Sequence, residues 1–280
     1  MRIILLAADS MGVRSMATLV RTKDTAILID PSAALSPRRF GLRPHRLELE
    51  ALELAWQTIS EAAEDVEAII VTHYHYDHHS RKRNTEIYKG KILFAKNPKE
   101  MINDSQRWRA RAFLRRIEGL PEEIIFADSK EFFIGDTLIR FSQPVPHGER
   151  GTRLGYVIEV LIRDSRSSFL FTSDIEGAAE QEQLSFILEN RPSIVYLDGP
   201  PIYLPNKISP VVLSKSIENI RRIIHEAHVN KLIIDHHLLR DLKFREYLEG
   251  VDNYLTAAEY MGRPLNMLEA RRRELWEAEG

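Results

Sequence analysis

A layered α/β fold, rather than an all-β sandwich, is predicted by two features of the sequence. Short apolar runs separated by turn residues dominate the first half, and strand-like runs alternate with helix-like stretches through the second. In chain order, residues 3–8, 16–20 and 26–29 read as strands. Leu49, Leu52, Trp56, Ile59 and Ala63 then recur at spacings of 3, 4, 3 and 4, the stripe of one helix face. The continuous run Ala68-Ile69-Ile70-Val71 fits a strand buried on both faces. Residues 93–95, 124–126, 131–134, 138–141, 155–162 and 168–171 read as further strands, with a basic helical insertion near 97–119. Residues 178–189 and 209–227 follow helical patterns, 194–197 and 232–234 strand patterns. Thr256-Ala257-Ala258-Glu259 is a capping box that opens the terminal helices.

Composition limits the function classes. The chain has 280 residues, 44% hydrophobic and 29% charged, which excludes a disordered or collagen-like protein and suits one large domain over 1–280. Lys plus Arg number 39 against 41 for Asp plus Glu, so a globally basic nucleic-acid coat is excluded. Without cysteine there is no disulfide, thiolate zinc site, iron–sulfur cluster or cysteine nucleophile, and any metal must be held by His, Asp and Glu. The apolar run 3–8 ends at Asp9, too short to span a bilayer and without a secretory cleavage pattern. A cytoplasmic protein with no membrane partner is expected.

The chemistry concentrates in Thr72-His73-Tyr74-His75-Tyr76-Asp77-His78-His79, which follows the buried strand directly. His73 and His75, two apart in an extended segment, project to the same side and can share one metal. Asp77 and His78, past the bend, can point to a second. Neutral imidazole and carboxylate are the ligands of catalytic zinc, iron or manganese. A short histidine cluster is otherwise a surface feature or an adventitious metal site; its place at the end of a buried strand argues against that.

The pattern His73-x-His75-x-Asp77-His78 resembles the signature of the metallo-β-lactamase superfamily of metal-dependent hydrolases. Downstream segments extend the resemblance: Ala26 to Asp30-Pro31, His147 in Val145-Pro146-His147-Gly148, Asp174 in Phe171-Thr172-Ser173-Asp174, and His236 or His237 after the strand at 232–234. It looks closest to an archaeal-type branch, marked by the run from Asp235 to Asp241 and by Leu268-Glu269-Ala270-Arg271. The resemblance implies an αββα sandwich with two divalent metal ions at one edge, zinc in first place and iron or manganese as alternatives. His73, His75 and His147 would hold the first ion, Asp77, His78 and the late histidine the second, and Asp174 would bridge them. A metal-bridged hydroxide would then attack an ester, phosphodiester or related bond, with Asp77 as the catalytic residue that orients it or shuttles a proton. The substrate would be a small molecule or a phosphodiester, nucleic acid included. A mononuclear iron oxidoreductase of the dioxygenase type is the alternative on the same fold, and a metal-stabilised protein without turnover a third.

Other residues have plainer readings. Asp174 could cap the helix near 178. Asp198 could support the site or form a turn, and Asp30 reads as structural. His45, His225 and His228 read as surface or packing residues, and His79 as a partner that orients a ligand. Arg150 and Arg153, beside His147, are placed to meet a substrate anion. Arg81-Lys82-Arg83 and the set Arg107, Arg109, Arg111, Arg115 and Arg116 read either as attraction for an anionic substrate or as a solvated face. Of the paired histidines, His236 is favoured as ligand, because neighbours leaving a strand point opposite ways and Ile234-Asp235-His236 repeats the register of Val71-Thr72-His73. His237 would then support the site or line the pocket.

Overall fold

The computed structural model describes residues 1–80 and 82–279. Strands β1 (Arg2–Leu5), β2 (Thr18–Arg21), β3 (Ala26–Ile29), β4 (Ala68–Val71), β5 (Ile92–Ala95) and β6 (Glu123–Phe126) form one sheet in sequential order. β1 to β3 are antiparallel; β3 to β6 are parallel. Next come β7 (Glu131–Ile134), β8 (Thr137–Phe141), β9 (Val145–Pro146), β10 (Tyr156–Val157), β11 (Val160–Arg163), β12 (Ser168–Phe171), β13 (Ile194–Leu197), β14 (Lys231–Ile234) and β15 (Tyr254–Leu255). All but the β9–β10 pair form the second sheet, ordered β15-β14-β13-β12-β11-β8-β7, again antiparallel first and parallel from β12 onward.

Alternation along the strands builds the layers. Ile27, Ile29 and Ile70 of the first sheet face Val160, Ile162, Phe169, Phe171 and Ile233 of the second in one core. The intervening Leu28, Ile69 and Val71 pack on Trp56 and Ile59 of helix α1 (Arg46–Ala63) and on Phe113 of helix α2 (Asp104–Arg116). On the far side, Leu161, Leu170, Val195 and Leu232 pack on helices α3 (Gln181–Asn190) and α4 (Pro210–Glu226). The result is the αββα sandwich. Short helices α5 (Phe244–Tyr247) and α6 (Ala257–Tyr260), then α7 (Arg272–Glu279), complete the chain. The predicted capping box is present at α6, with Thr256 as N-cap.

Three expectations change. Leu49 is exposed, because the buried stripe of α1 runs through Ala55, Trp56, Ile59 and Ala63. The strand expected over 155–162 breaks into β10 and β11, because β10 leaves the sheet to pair with β9 and the Ile158 amide donates to the Thr72 carbonyl at 3.2 Å. The helix expected from 178 starts at Gln181, since Ala178 adopts φ 59°. The basic helix of 97–119 is α2, which carries the chain from β5 to its parallel neighbour β6.

Parallel strands of both sheets deliver their carboxyl ends to one edge, where polar residues gather as in other open α/β sheets. Asp30 follows β3, Thr72 and His73 follow β4, Asp174 lies beyond β12, Asp198 follows β13, and Asp235 and His236 follow β14. Four non-glycine residues with left-handed backbone lie here: Asp30 (φ 46°), Ser173 (58°), Glu176 (52°) and His236 (58°). Each costs about 1–2 kcal/mol, which the buried network around them holds in place.

Candidate metal centre

Asp174 is the hub. Its Oδ2 faces the Nε2 atoms of His147 at 3.2 Å, His73 at 3.6 Å and His237 at 3.7 Å. Its Oδ1 faces the Nε2 atoms of His78 at 3.1 Å and His236 at 3.6 Å. Asp77 Oδ2 stands 3.6 Å from His236 Nε2. The potential ligand atoms fall into two main sets, each within 4.8 Å: His73, His75, His147 and Asp174, and Asp77, His78 and His236. Asp174 does not cap a helix; α3 starts beyond it, with Glu180 as N-cap.

Four of the imidazoles, those of His73, His78, His236 and His237, have a partner at Nδ1 that aims the ring, as metal-binding histidines usually do. His78 Nδ1 donates to Asp30 Oδ2 at 2.7 Å, His236 Nδ1 to Asp9 Oδ2 at 2.7 Å, and His237 Nδ1 to Asp198 Oδ2 at 2.8 Å. His73 Nδ1 lies 3.2 Å from Ser173 Oγ. Asp30 also accepts from the Thr72 amide at 2.8 Å and from Thr72 Oγ1 at 2.6 Å, so it fixes the start of the signature as well as His78. Its role is thus more than structural. Asp198 fixes the β13 exit by accepting from the Glu176 amide at 2.8 Å. His79 Nδ1 bonds the His75 carbonyl at 2.9 Å and packs on Tyr74 and Phe113, orienting that loop.

The residues fit a cation. Nε2 of His73 and His78, both nitrogens of His147, and Oδ1 of Asp174 are buried without a hydrogen-bond partner, an arrangement that is costly unless something else engages them. Burial, then the charge on His78, holds the His73 imidazole well below its ordinary range; burial and His147 do the same for His75. Both therefore present lone pairs at neutral pH. At His78 burial opposes protonation, but Asp174 and Asp30 outweigh it and raise its proton affinity well above normal. At His236 burial is outweighed by Asp174 and Asp9, and the pKa rises to about 9. The acidic neighbours thus favour a proton on both rings of this half of the centre.

Both late histidines join the centre, contrary to the expectation of opposite directions. His236 has φ 58° and His237 φ −58°, so the backbone turns between them and brings both rings to Asp174. His236 is fully buried among the second set, while His237 lines the cleft.

That cleft, about 480 Å3, is lined by His75, Asp77, His147 and Asp174, the apolar Leu35, Pro37, Leu154 and Leu204, and three arginines. The arginines are Arg14, Arg109 and Arg240, not Arg150 and Arg153. Arg150 is exposed and paired with Glu182; Arg153 is exposed, and its carbonyl accepts from Asn103. Arg14 is held by Glu269 through two hydrogen bonds of 2.5 and 2.6 Å. Arg109 lies over the Tyr76 ring at 5.2 Å and has no carboxylate partner among the described residues. Arg111, Arg115 and Arg116 are exposed and solvated, and Arg83 pairs with Glu53. Arg81 lies outside the described residues. Asp9, read as the end of an apolar run, and Arg240, read within the run 235–241, are not assigned to the site from sequence; the hydrogen bond between them spans 231 positions, and no local pattern marks it.

Comparison with known proteins agrees with this geometry. A family model described as the metallo-beta-lactamase superfamily matches residues 11–224. The chain belongs to the metallo-β-lactamase superfamily. An archaeal relative, the UPF0282 protein of Korarchaeum cryptofilum, is 49% identical over 286 residues, covering 99% of this chain and 95% of its own. Among solved structures, a "possible metal-dependent hydrolase" from Veillonella parvula superposes with a TM-score of 0.57 at 14% identity, over 88% of this chain and 94% of that one. An isothiocyanate hydrolase from Delia radicum gut bacteria gives 0.57 at 17% identity, over 88% and 94%. At these identities the likeness is one of fold. No described helix is long and apolar enough to cross a membrane.

Proposed function

We propose that the chain is a hydrolase that works with two divalent cations, zinc in first place, on an ester, phosphodiester or related bond of a small anionic substrate. The observation that carries this reading is the Asp174 carboxylate, one oxygen turned to His73 and His147 and the other to His78, whose buried Nε2 atoms have no hydrogen-bond partner. His73, His75 and His147 would hold one cation, His78, Asp77 and His236 the other, with Asp174 between them. Cations held there lower the pKa of water towards neutrality and offset negative charge that develops on the substrate.

The chain's own residues do the rest. Asp77 stays ionised, because the charges of His78 and His236 outweigh its burial, and it faces the cleft, where it can accept a hydrogen bond from the nucleophile and orient it. His237, neutral through burial and with Nδ1 fixed on Asp198, lines the cleft with Nε2 3.7 Å from Asp174 Oδ2. Arg109 offers an uncompensated guanidinium to an anion, and Leu35, Pro37, Leu154 and Leu204 receive an apolar body. The second ligand set favours this reading over a mononuclear iron oxidoreductase. The test is elemental analysis of protein purified without added metal, then a screen of phosphodiester and carboxylic ester substrates. Two ions per chain and a turnover lost more than about 100-fold in His75→Ala and His147→Ala are expected, beyond what loss of a merely orienting partner costs. One iron per chain with substrate-dependent oxygen uptake would overturn it.

A further inference from the structure

Arg240 is a buried cation at the edge of a site built to take cations. Its side chain is 3% exposed. Nε donates to Asp9 Oδ1 at 2.8 Å, and Nη1 donates to the Tyr203 hydroxyl at 3.1 Å. Nη2 lies 3.1 Å from Nε2 and 3.4 Å from Nδ1 of His236, and 3.7 Å from Asp77 Oδ2. Near-equal distances to both ring nitrogens place the guanidinium over the imidazole face rather than in its plane. The nearer ring nitrogen is Nε2, the atom that also faces Asp174 and Asp77 at 3.6 Å each. What Arg240 adds is charge.

We propose that Arg240 makes the two halves of the centre unequal, weakening the second position (Asp77, His78, His236) for a divalent cation relative to the first (His73, His75, His147), with Asp174 common to both. The inference rests on the reading under Proposed function. The first position also has a guanidinium in its neighbourhood, that of Arg109, but this group is half-exposed in the open cleft and is screened by water. Arg240 is dry, and the repulsion between its charge and a divalent ion a few ångströms away is far less attenuated. Asp9 partly cancels it while holding His236 in place, so the balance at the second position is set by the Asp9–Arg240 pair, 231 residues apart in sequence.

Charge logic gives variants of opposite sign. Arg240→Met keeps the bulk, removes the cation and leaves Asp9 negative, so the second position tightens. Arg240→Lys keeps the cation, and the inequality stays. Asp9→Asn leaves Arg240 uncancelled, and the second position weakens further. The experiment is dialysis of the zinc-loaded full chain against chelator buffers spanning free zinc concentrations, with zinc per chain read by elemental analysis. Wild type is expected to lose zinc in two steps at least about tenfold apart in free zinc. Arg240→Met should bring the steps at least about tenfold closer, and Asp9→Asn should spread them. Should Arg240→Met not fold, Arg240→Gln, which also removes the cation, carries the test, because Asp9→Asn removes the partner of His236 Nδ1 as well and weakens the second position in either case. Loss of two ions in one step by wild type overturns this inference alone, as does earlier loss of the second ion in Arg240→Met. A chain that takes up no zinc overturns the reading beneath it as well.

Discussion

Asp30→Asn isolates the contribution of one orienting carboxylate. Asn is nearly isosteric and tolerates the left-handed backbone at this position (φ 46°), so the chain path is preserved. The carboxylate now accepts three hydrogen bonds: from the Thr72 amide at 2.8 Å, Thr72 Oγ1 at 2.6 Å and His78 Nδ1 at 2.7 Å. An amide has one acceptor oxygen. If it serves the Thr72 amide, the amide nitrogen faces His78 Nδ1, and two donors meet. His78 then moves its proton to Nε2, the atom 3.1 Å from Asp174, and loses the lone pair that a cation needs. One charge-assisted hydrogen bond is at stake, about 1.5–3 kcal/mol, which is roughly 10–100-fold in affinity and matches the usual effect of losing such a partner. The assay is zinc per chain across chelator buffers, with imidazole nitrogen chemical shifts as a second readout of the tautomer. Only the second step should move. Unchanged zinc retention in a folded Asp30→Asn chain would refute the reasoning.

Three further outcomes are expected. Glu159 is fully buried with both oxygens unpartnered, and burial first, then the charge on Asp198, raises its pKa well above 4.5. The native state keeps that proton while the unfolded chain sheds it, so stability falls by about 1.4 kcal/mol per pH unit from about pH 4.5 upward. Glu159→Gln should match wild type near pH 4 and exceed it at pH 7 in urea titrations; equal stability at both would refute the assignment. Arg272 and Glu48, both without solvent exposure, share two hydrogen bonds of 2.7 Å that tie α7 to the start of α1. Arg272→Ala strands a buried carboxylate and should cost about 3–5 kcal/mol in thermal or chemical unfolding, and a loss under 1 kcal/mol would show that water reaches Glu48. If the substrate is anionic, Arg109→Glu should raise KM and flatten its salt dependence, while Arg111→Glu, on the solvated face of α2, should do neither; equal effects would make the helix as a whole the attracting element.

The strands and the signature were the legible parts of the sequence. The runs 26–29, 68–71, 168–171 and 194–197 coincide with β3, β4, β12 and β13, because strands buried on both faces are largely apolar and polar residues bound them, and the run 131–134 coincides with the half-exposed edge strand β7. His73, His75, Asp77, His78, His147 and Asp174 come together because each follows or neighbours a strand that ends at the common edge. What local patterns could not carry was backbone turned left-handed by tertiary contacts. His236 and His237 were separated by assuming a continued strand, and the φ of 58° at His236 removes that assumption. The orienting carboxylates were under-read for a related reason: Asp30 lies 48 positions from His78 and Asp9 227 from His236, so their partners are set by topology. Arg150 and Arg153 are near His147 in sequence, yet the loop carries them outward to Glu182 and Asn103.

The two sheets reach the centre from different halves of the chain. His73, His75, Asp77 and His78 belong to the connection leaving the first sheet; Asp174, His236 and His237 belong to the second. A cation held at Asp174 would therefore be a rivet through the open end of the sandwich, joining segments that hydrogen bonds such as Thr72 to Ser173, 2.7 Å, and the Ile158 amide to the Thr72 carbonyl, 3.2 Å, also tie at this edge. Withdrawing it would free the edge to breathe while the apolar layers stay closed behind it. Amide exchange after chelation should accordingly quicken at the exits of β4, β12 and β14 and leave the strand interiors as they were.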